Sequence, residues 1–121
     1  MTVTERVVGD VTVLDVNGRI AVQDGASRFG TCMRHALHLG RIRVVLNLDA
    51  VPDIDSHALG ELMRASTTAS QMGGNLKLLH VRRHVRDLLA VVKLRSAFAL
   101  FDDEAAAVAS FGVPEMWEPP R

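Results

Sequence analysis

The chain has 121 residues, 48% of them hydrophobic, and its fourteen basic and fourteen acidic side chains give a formal net charge of zero. That length suits one domain with a core of its own, while zero net charge, the absence of Tyr and a single Trp argue against direct binding of nucleic acid. No apolar run is long enough to cross a bilayer, no signal peptide precedes the first strand, and the lone Cys32 rules out a disulfide framework, so the expected location is cytoplasmic.

In chain order, Val3 to Val8 and Val11 to Val16 read as two strands joined by a turn at Gly9-Asp10. The second alternates only in part, which predicts one wetter face. Gly18-Arg19-Ile20 closes this unit. Asp24-Gly25 leads into a helix with Phe29, Met33, Ala36 and Leu37 on one face, ending at Gly40. Val44, Val45, Leu46 and Leu48 form a β-branched run of the kind buried on both faces at the centre of a parallel sheet, finished before Pro52. Helical spacing then takes over at Leu59, Leu62, Met63, Ser66, Ala69 and Met72, with Gly73-Gly74 as a left-handed stop. Leu76, Leu78, Leu79 and Val81 predict a further strand, and Val85, Leu88, Leu89 and Val92 a third helix. Phe98 to Phe101 reads as a short last strand, and Asp102-Asp103-Glu104 opens a fourth helix with acids where the helix dipole favours them. Residues 1–112 are thus expected to form the domain. Residues 113–121, with Pro114, Pro119 and Pro120, are expected to be a tail. The order β-β-α-β-α-β-α-β-α implies an α/β fold: a mixed, mostly parallel sheet with an N-terminal hairpin and four packed helices. Leu46 and Leu89 should be fully buried.

The run Val-Val-Leu-Asn-Leu-Asp-Ala-Val-Pro-Asp-Ile-Asp-Ser-His-Ala-Leu-Gly, from Val44 to Gly60, resembles the signature of STAS domains, in which an apolar strand leads to a loop ending Asp-Ser-Ser-Gly-Leu-Gly or a close variant. The similarity continues through Gly73 to Val81, Val85 to Leu89, Lys93-Leu94 and Phe101 to Ala105. Free-standing members of that family are mostly bacterial anti-sigma factor antagonists. The resemblance implies phosphorylation at Ser56, beside Asp55, by a partner that is both anti-sigma factor and serine kinase, with a phosphatase as a further partner. The alternatives it allows are, first, a STAS subunit docked on the ATPase of a lipid or sulfate transporter and, second, a scaffold in a stress-sensing complex. Two positions depart from the signature: His57 replaces its second serine and Ala58 its glycine, which puts an imidazole and a methyl where a kinase would approach the backbone. The expected partner surface is the exposed flank of Ser56, His57, Gly60, Glu61 and Arg64.

Other constellations carry less. Ser56 or Asp55 would serve as a helix N-cap whatever the function. Asp49, Asp53 and Asp55 are hard-cation ligands by type but suit a solvated loop end equally, with Asp55 steering the serine hydroxyl. His35 with His38, and His80 with His84, have metal spacing but no third ligand, so neither metal nor cofactor is expected. Arg82, Arg83, Arg86, Lys93 and Arg95 read as a solvated helix face. Asp55-Ser56-His57 is no hydrolase triad, because successive helical residues do not face one another. No Gly-rich nucleotide loop occurs, and the acidic pair and late lysine of a receiver domain are missing. The chain is expected to be a binding protein and not an enzyme.

Overall fold

The two β-branched runs at the N-terminus pair as strands β1 (Thr2–Val8) and β2 (Val11–Asn17), antiparallel from Val8↔Val11 to Thr2↔Asn17 around the Gly9-Asp10 turn. This computed structural model describes residues 1–21, 26–91 and 98–112. The expectations for Asp24-Gly25, Val92, Lys93, Leu94, Arg95 and the tail 113–121 lie outside those residues. After the hairpin come α1 (Ala26–His38), β3 (Arg43–Ala50), α2 (Ser56–Gln71), β4 (Asn75–Leu79), α3 (Arg83–Val91), β5 (Leu100–Phe101) and α4 (Glu104–Ala109). This is the element order read from the sequence.

The sheet runs β1-β2-β3-β4-β5, and every neighbour pair except β1–β2 is parallel. β3 therefore occupies the centre, and Val44, Val45, Leu46 and Leu48 are all buried. Side chains alternate across a strand, and the two faces receive different cover. Leu14, Val16, Val44, Leu46, Leu48, Leu76 and Leu78 pack against Phe29, Met33 and Leu37 of α1, Leu59 and Leu62 of α2, and Val85 and Leu89 of α3. Val11, Val13, Val45 and Leu79 face the short α4 through Ala107, with Phe101, Val108 and Phe111 around them. A fully buried Leu of this kind contributes about 1.5–3 kcal/mol, and the three-helix face holds most of them.

Six residues of helix cannot cover the second face, and the strands register this. Beyond Val13 and Val45 the same face carries Asp15 and Asn47, joined by a 2.8 Å hydrogen bond from Asn47 Nδ2 to Asp15 Oδ1. Arg6 of β1 donates to Asp15 and to Glu104 of α4. This is the wetter face that the partial alternation of β2 predicts.

Three boundaries differ from the periodic reading. β4 ends at Leu79, because His80 adopts a left-handed φ of 54° and turns the chain, so the buried Val81 lies past the strand. β5 is two residues long, since only Leu78 and Leu79 of β4 lie alongside it. On α2 the buried stripe is Ala58, Leu59, Glu61, Leu62, Ala65 and Ala69, while Met72 is 45% exposed. The helix has already stopped there, with Gly73 at φ 87° carrying the chain into β4.

Candidate functional site

The loop between β3 and α2 is held from beneath. Val51 and Ile54 are buried anchors. Ile20 forms a parallel bridge with Ile54, its N–H donating to Asp53 O (3.2 Å) and its carbonyl accepting from Asp55 N–H (3.1 Å). Val51 N–H donates back to Leu48 O (3.0 Å), and Gly18 N–H donates to Ala50 O (2.9 Å). The residues that follow the N-terminal hairpin thus fix the path of the loop to the mouth of α2.

At that mouth two adjacent residues divide the work. Asp55, extended at φ −101° and ψ 179°, is the N-cap, and its Oδ1 accepts from Ala58 N–H at 2.8 Å. Ser56 is the first residue of α2 and is exposed. Among the described residues nothing engages its hydroxyl. An exposed hydroxyl at a helix N-terminus can accept a phosphoryl group, and the dipole there favours the resulting negative charge. His57 is also exposed, but Ala58 is not: its methyl is buried in the core. The Gly-to-Ala departure therefore sits inside the domain and not in the path of a kinase.

The loop acids do not form a cation cage. Asp53 Oδ1 accepts from His84 Nε2 at 3.0 Å and its Oδ2 lies 3.3 Å from Arg19 Nε, so His84 takes a carboxylate partner in place of the metal pairing with His80. Among the described residues no group of three His, Cys, Asp or Glu side chains is placed to hold a metal. In the basic run, Arg83 pairs loosely with Asp87 (3.9 Å) and Arg86 with Asp102 (3.3 Å), while Arg82 is exposed.

Of the expected partner flank, Ser56, His57 and Arg64 are exposed and Gly60 is half-buried, whereas Glu61 is buried and not at the rim. Glu61 is 8% exposed and lies at the α1–α2 seam. Its Oε2 meets Arg34 Nη1 at 3.3 Å and its Oε1 meets Arg64. The carboxylate occupies the space above Gly30, where any Cβ would collide with it. The seam opens into a groove of about 350 Å³ lined by Met33, Leu37, Met63 and the two arginines. A signal for this was present in the sequence. Gly30 in mid-helix carries an entropic cost that close approach would explain, and Glu61 is spaced three and four residues from the core alanines Ala58 and Ala65 on one helical face.

The STAS-domain family model matches residues 2–107. The chain is a STAS domain. Its fold is similar to that of a candidate anti-sigma factor antagonist from Thermotoga maritima, at 24% identity and TM-score 0.85 over 90% of this chain and 93% of that one. It is also similar to the Bacillus cell fate determinant SpoIIAA in its phosphorylated form, at 14% identity and TM-score 0.70 over 90% and 98%. A sulfate transporter family protein from Wolinella succinogenes shares the fold at 19% identity and TM-score 0.71, over 87% of each chain. A search of curated proteins gave no match. Among the described residues, no helix of this STAS domain is long and apolar enough to cross a membrane.

Proposed function

We propose that this STAS domain is an anti-sigma factor antagonist, a non-enzymatic cytoplasmic switch that binds an anti-sigma factor with serine kinase activity and loses that affinity when Ser56 is phosphorylated. The observation that carries the reading is the division of labour at the α2 N-terminus. Asp55 caps the helix, which leaves the Ser56 hydroxyl exposed and, among the described residues, unengaged. The resemblance of the loop to the STAS signature and the likeness to SpoIIAA support it. In this reading the docking flank is Ser56, His57, Gly60 and Arg64, without Glu61.

A phosphate on Ser56 adds about −1.5 to −2 charges at neutral pH, and the helix dipole offsets this by about 0.3–1 kcal/mol. The nearby Asp53 is already paired with Arg19 and hydrogen-bonded to His84, which leaves the capping Asp55 as the nearest carboxylate opposing the phosphate, at a surface where such terms are small. A partner pressed onto Ser56 must desolvate the dianion or give up the contact, at several kcal/mol. Each 1.4 kcal/mol is about tenfold in affinity, so a loss of roughly a hundredfold is expected. The test uses the purified domain, ATP and the anti-sigma factor kinase encoded nearest to it. Radiolabel should enter the wild type and not Ser56→Ala, and the phosphoprotein should bind the kinase about a hundredfold more weakly. Labelling of Ser56→Ala, or unchanged binding by the phosphoprotein, would sink the reading. The Wolinella likeness favours one second reading, a subunit docked on a transporter; stable co-purification with a transport ATPase, with no label on Ser56, would select it.

A further inference from the structure

Lys77 has no obvious structural reason to be a lysine. It sits in β4 between Leu76 and Leu78, on the face covered by α4, and is 8% exposed. Taking a charge out of water is costly unless an opposite charge or several hydrogen bonds replace the solvent. The half-buried arginines of the described residues all have that compensation: Arg41 lies against Glu5, Arg43 against Asp10 and Arg86 against Asp102. Lys77 has no carboxylate partner among the described residues. Its ammonium donates to Ser110 Oγ at 2.7 Å and stands 4.3 Å from the centre of the Phe111 ring and 5.8 Å from that of Phe101. The Ser110 hydroxyl donates its own hydrogen bond to Ala107 O at 2.6 Å, so its oxygen is oriented as an acceptor for the lysine. The ring faces add a cation–π contribution.

This leaves two of the three ammonium N–H groups without a protein acceptor among the described residues. The lysine lines an open pocket of about 300 Å³ near the start of β3 and β4, shared with Arg43, Gly74, Asn75, Ser110 and Phe111. Arg43 and Asn75 are the first residues of β3 and β4, so the pocket lies at the opposite end of the parallel strands from Ser56. Asp10 is the carboxylate near it, and it is already paired with Arg43. A methionine would fill the same space without the desolvation cost. What the lysine adds is a positive charge with two donors that no described protein group accepts, on a wall built with Ser110 and Phe111 and with the Arg43 guanidinium beside it.

The geometry points to a binding site for a small oxyanion, a phosphate or carboxylate group, held by Lys77 with Arg43 and Asn75 at the rim. Such a ligand supplies both missing elements, since its oxygens accept the two free N–H groups and its charge compensates the ammonium. Desolvation pulls the Lys77 pKa below the ordinary lysine value, and a bound anion would oppose that shift. The site is independent of the reading of Ser56.

The test is an amide-resonance titration of the isotopically labelled chain with inorganic phosphate and, separately, acetate, each matched in ionic strength by sodium chloride. Gly73, Gly74 and Asn75 report on the pocket, and Lys77→Met is titrated alongside. Saturable, local shifts with at least one of the two anions are expected in the wild type, weakened at least tenfold in Lys77→Met. The same anion should raise the melting temperature of the wild type and not of the variant. The arm that saturates identifies phosphate or carboxylate as the source. Shifts with both anions that merely follow chloride would overturn the proposal, and this wild-type result decides even if the variant does not fold. Saturable binding that is undiminished in Lys77→Met would overturn it equally.

Discussion

Glu61 offers the sharpest check of the structure, because its position in sequence reads as a rim charge and its position in space does not. If the residue faced solvent, Glu61→Arg would leave the fold alone. In the structure the substitution forces a third guanidinium into a site that is 8% exposed, between Arg34 and Arg64 and directly over Gly30. The incoming cation meets two like charges in place of its partners, and the cost should match that of leaving a buried charge uncompensated, about 3–5 kcal/mol. For a domain of this size that corresponds to a fall in melting temperature of roughly 10–20 °C. Glu61→Gln separates shape from charge. It fills the same space and can still accept from one arginine, and both arginines are more than 60% exposed at the side chain (65% and 63%), so each can turn to water. Ion pairs with such exposed partners contribute about 0–1 kcal/mol each, which limits the loss to about 1–2 kcal/mol. Thermal melting followed by circular dichroism measures both. A Glu61→Arg protein that melts with the wild type would refute the placement of Glu61 in the α1–α2 seam. Equal, large losses for both variants would refute the argument that the arginines can escape to solvent.

Leu46→Ala and Leu89→Ala each remove a fully buried side chain at 0% exposure, and each should cost roughly 2–5 kcal/mol in chemical denaturation; losses below 1 kcal/mol at both would contradict the core. Asp55→Ala removes the α2 cap and should cost about 1 kcal/mol, largely restored in Asp55→Asn or Asp55→Ser; equal melting of the Ala and Asn variants would show that the cap contributes nothing. Asp15 carries the pH dependence: the hydrogen bond from Arg6, and secondarily that from Asn47, hold its carboxyl below the ordinary 3.8 against the opposing effect of burial. A folded-state value below the unfolded one means stability present above about pH 4 and lost as pH falls through the folded value. The stability gap between wild type and Asp15→Asn should therefore be flat near neutrality and close in acid, and a gap that widens below pH 4 would reverse the sign of the argument.

Among the described residues, periodicity located the strands and the first three helices because the apolar stripes are strong and the breaks between them are marked by Gly9, Gly40, Pro52 and Gly73, while the acids at Asp102 to Glu104 marked the fourth helix. It placed Leu46 at the sheet centre because four apolar residues in five, bounded by a proline, leave no wet face for a strand to keep. The same reasoning misjudged Glu61 and passed over Lys77 for one physical reason. Patterning assigns each residue to inside or outside by its side-chain class, whereas long charged side chains divide between the two, with the stem packed and the head finding a partner. Whether a partner exists depends on another element. For Glu61 it is α1, which brings Arg34 and the missing Cβ of Gly30; for Lys77 it is the stretch from α4 to Phe111, which brings Ser110 and the ring. The sequence hints at the burial of Glu61 through Gly30 and the Ala58/Ala65 spacing, but it names neither partner, since the paired residues are 27 and 33 positions apart.

The Ser56 loop was legible for a different reason, and that reason bears on how a switch could operate there. A capping signal, Asp followed by Ser at a strand-to-helix junction, is local chemistry and survives without tertiary context. What the fold adds is rigidity. Val51 and Ile54 are buried, Asp53 O and Asp55 N–H are both bonded to Ile20, and Asp55 Oδ1 is committed to Ala58. A group added to the Ser56 hydroxyl displaces none of these contacts, because none of them involves it. An allosteric change needs a ligand that interacts differently with two states of the protein, and the loop presents one state with its bonds satisfied. Under the reading proposed for Ser56, its modification would have to be read at the surface, by the molecule that covers that hydroxyl. In that reading the fold contributes a fixed position at a helix N-terminus already capped by Asp55, and the discrimination would come from the partner.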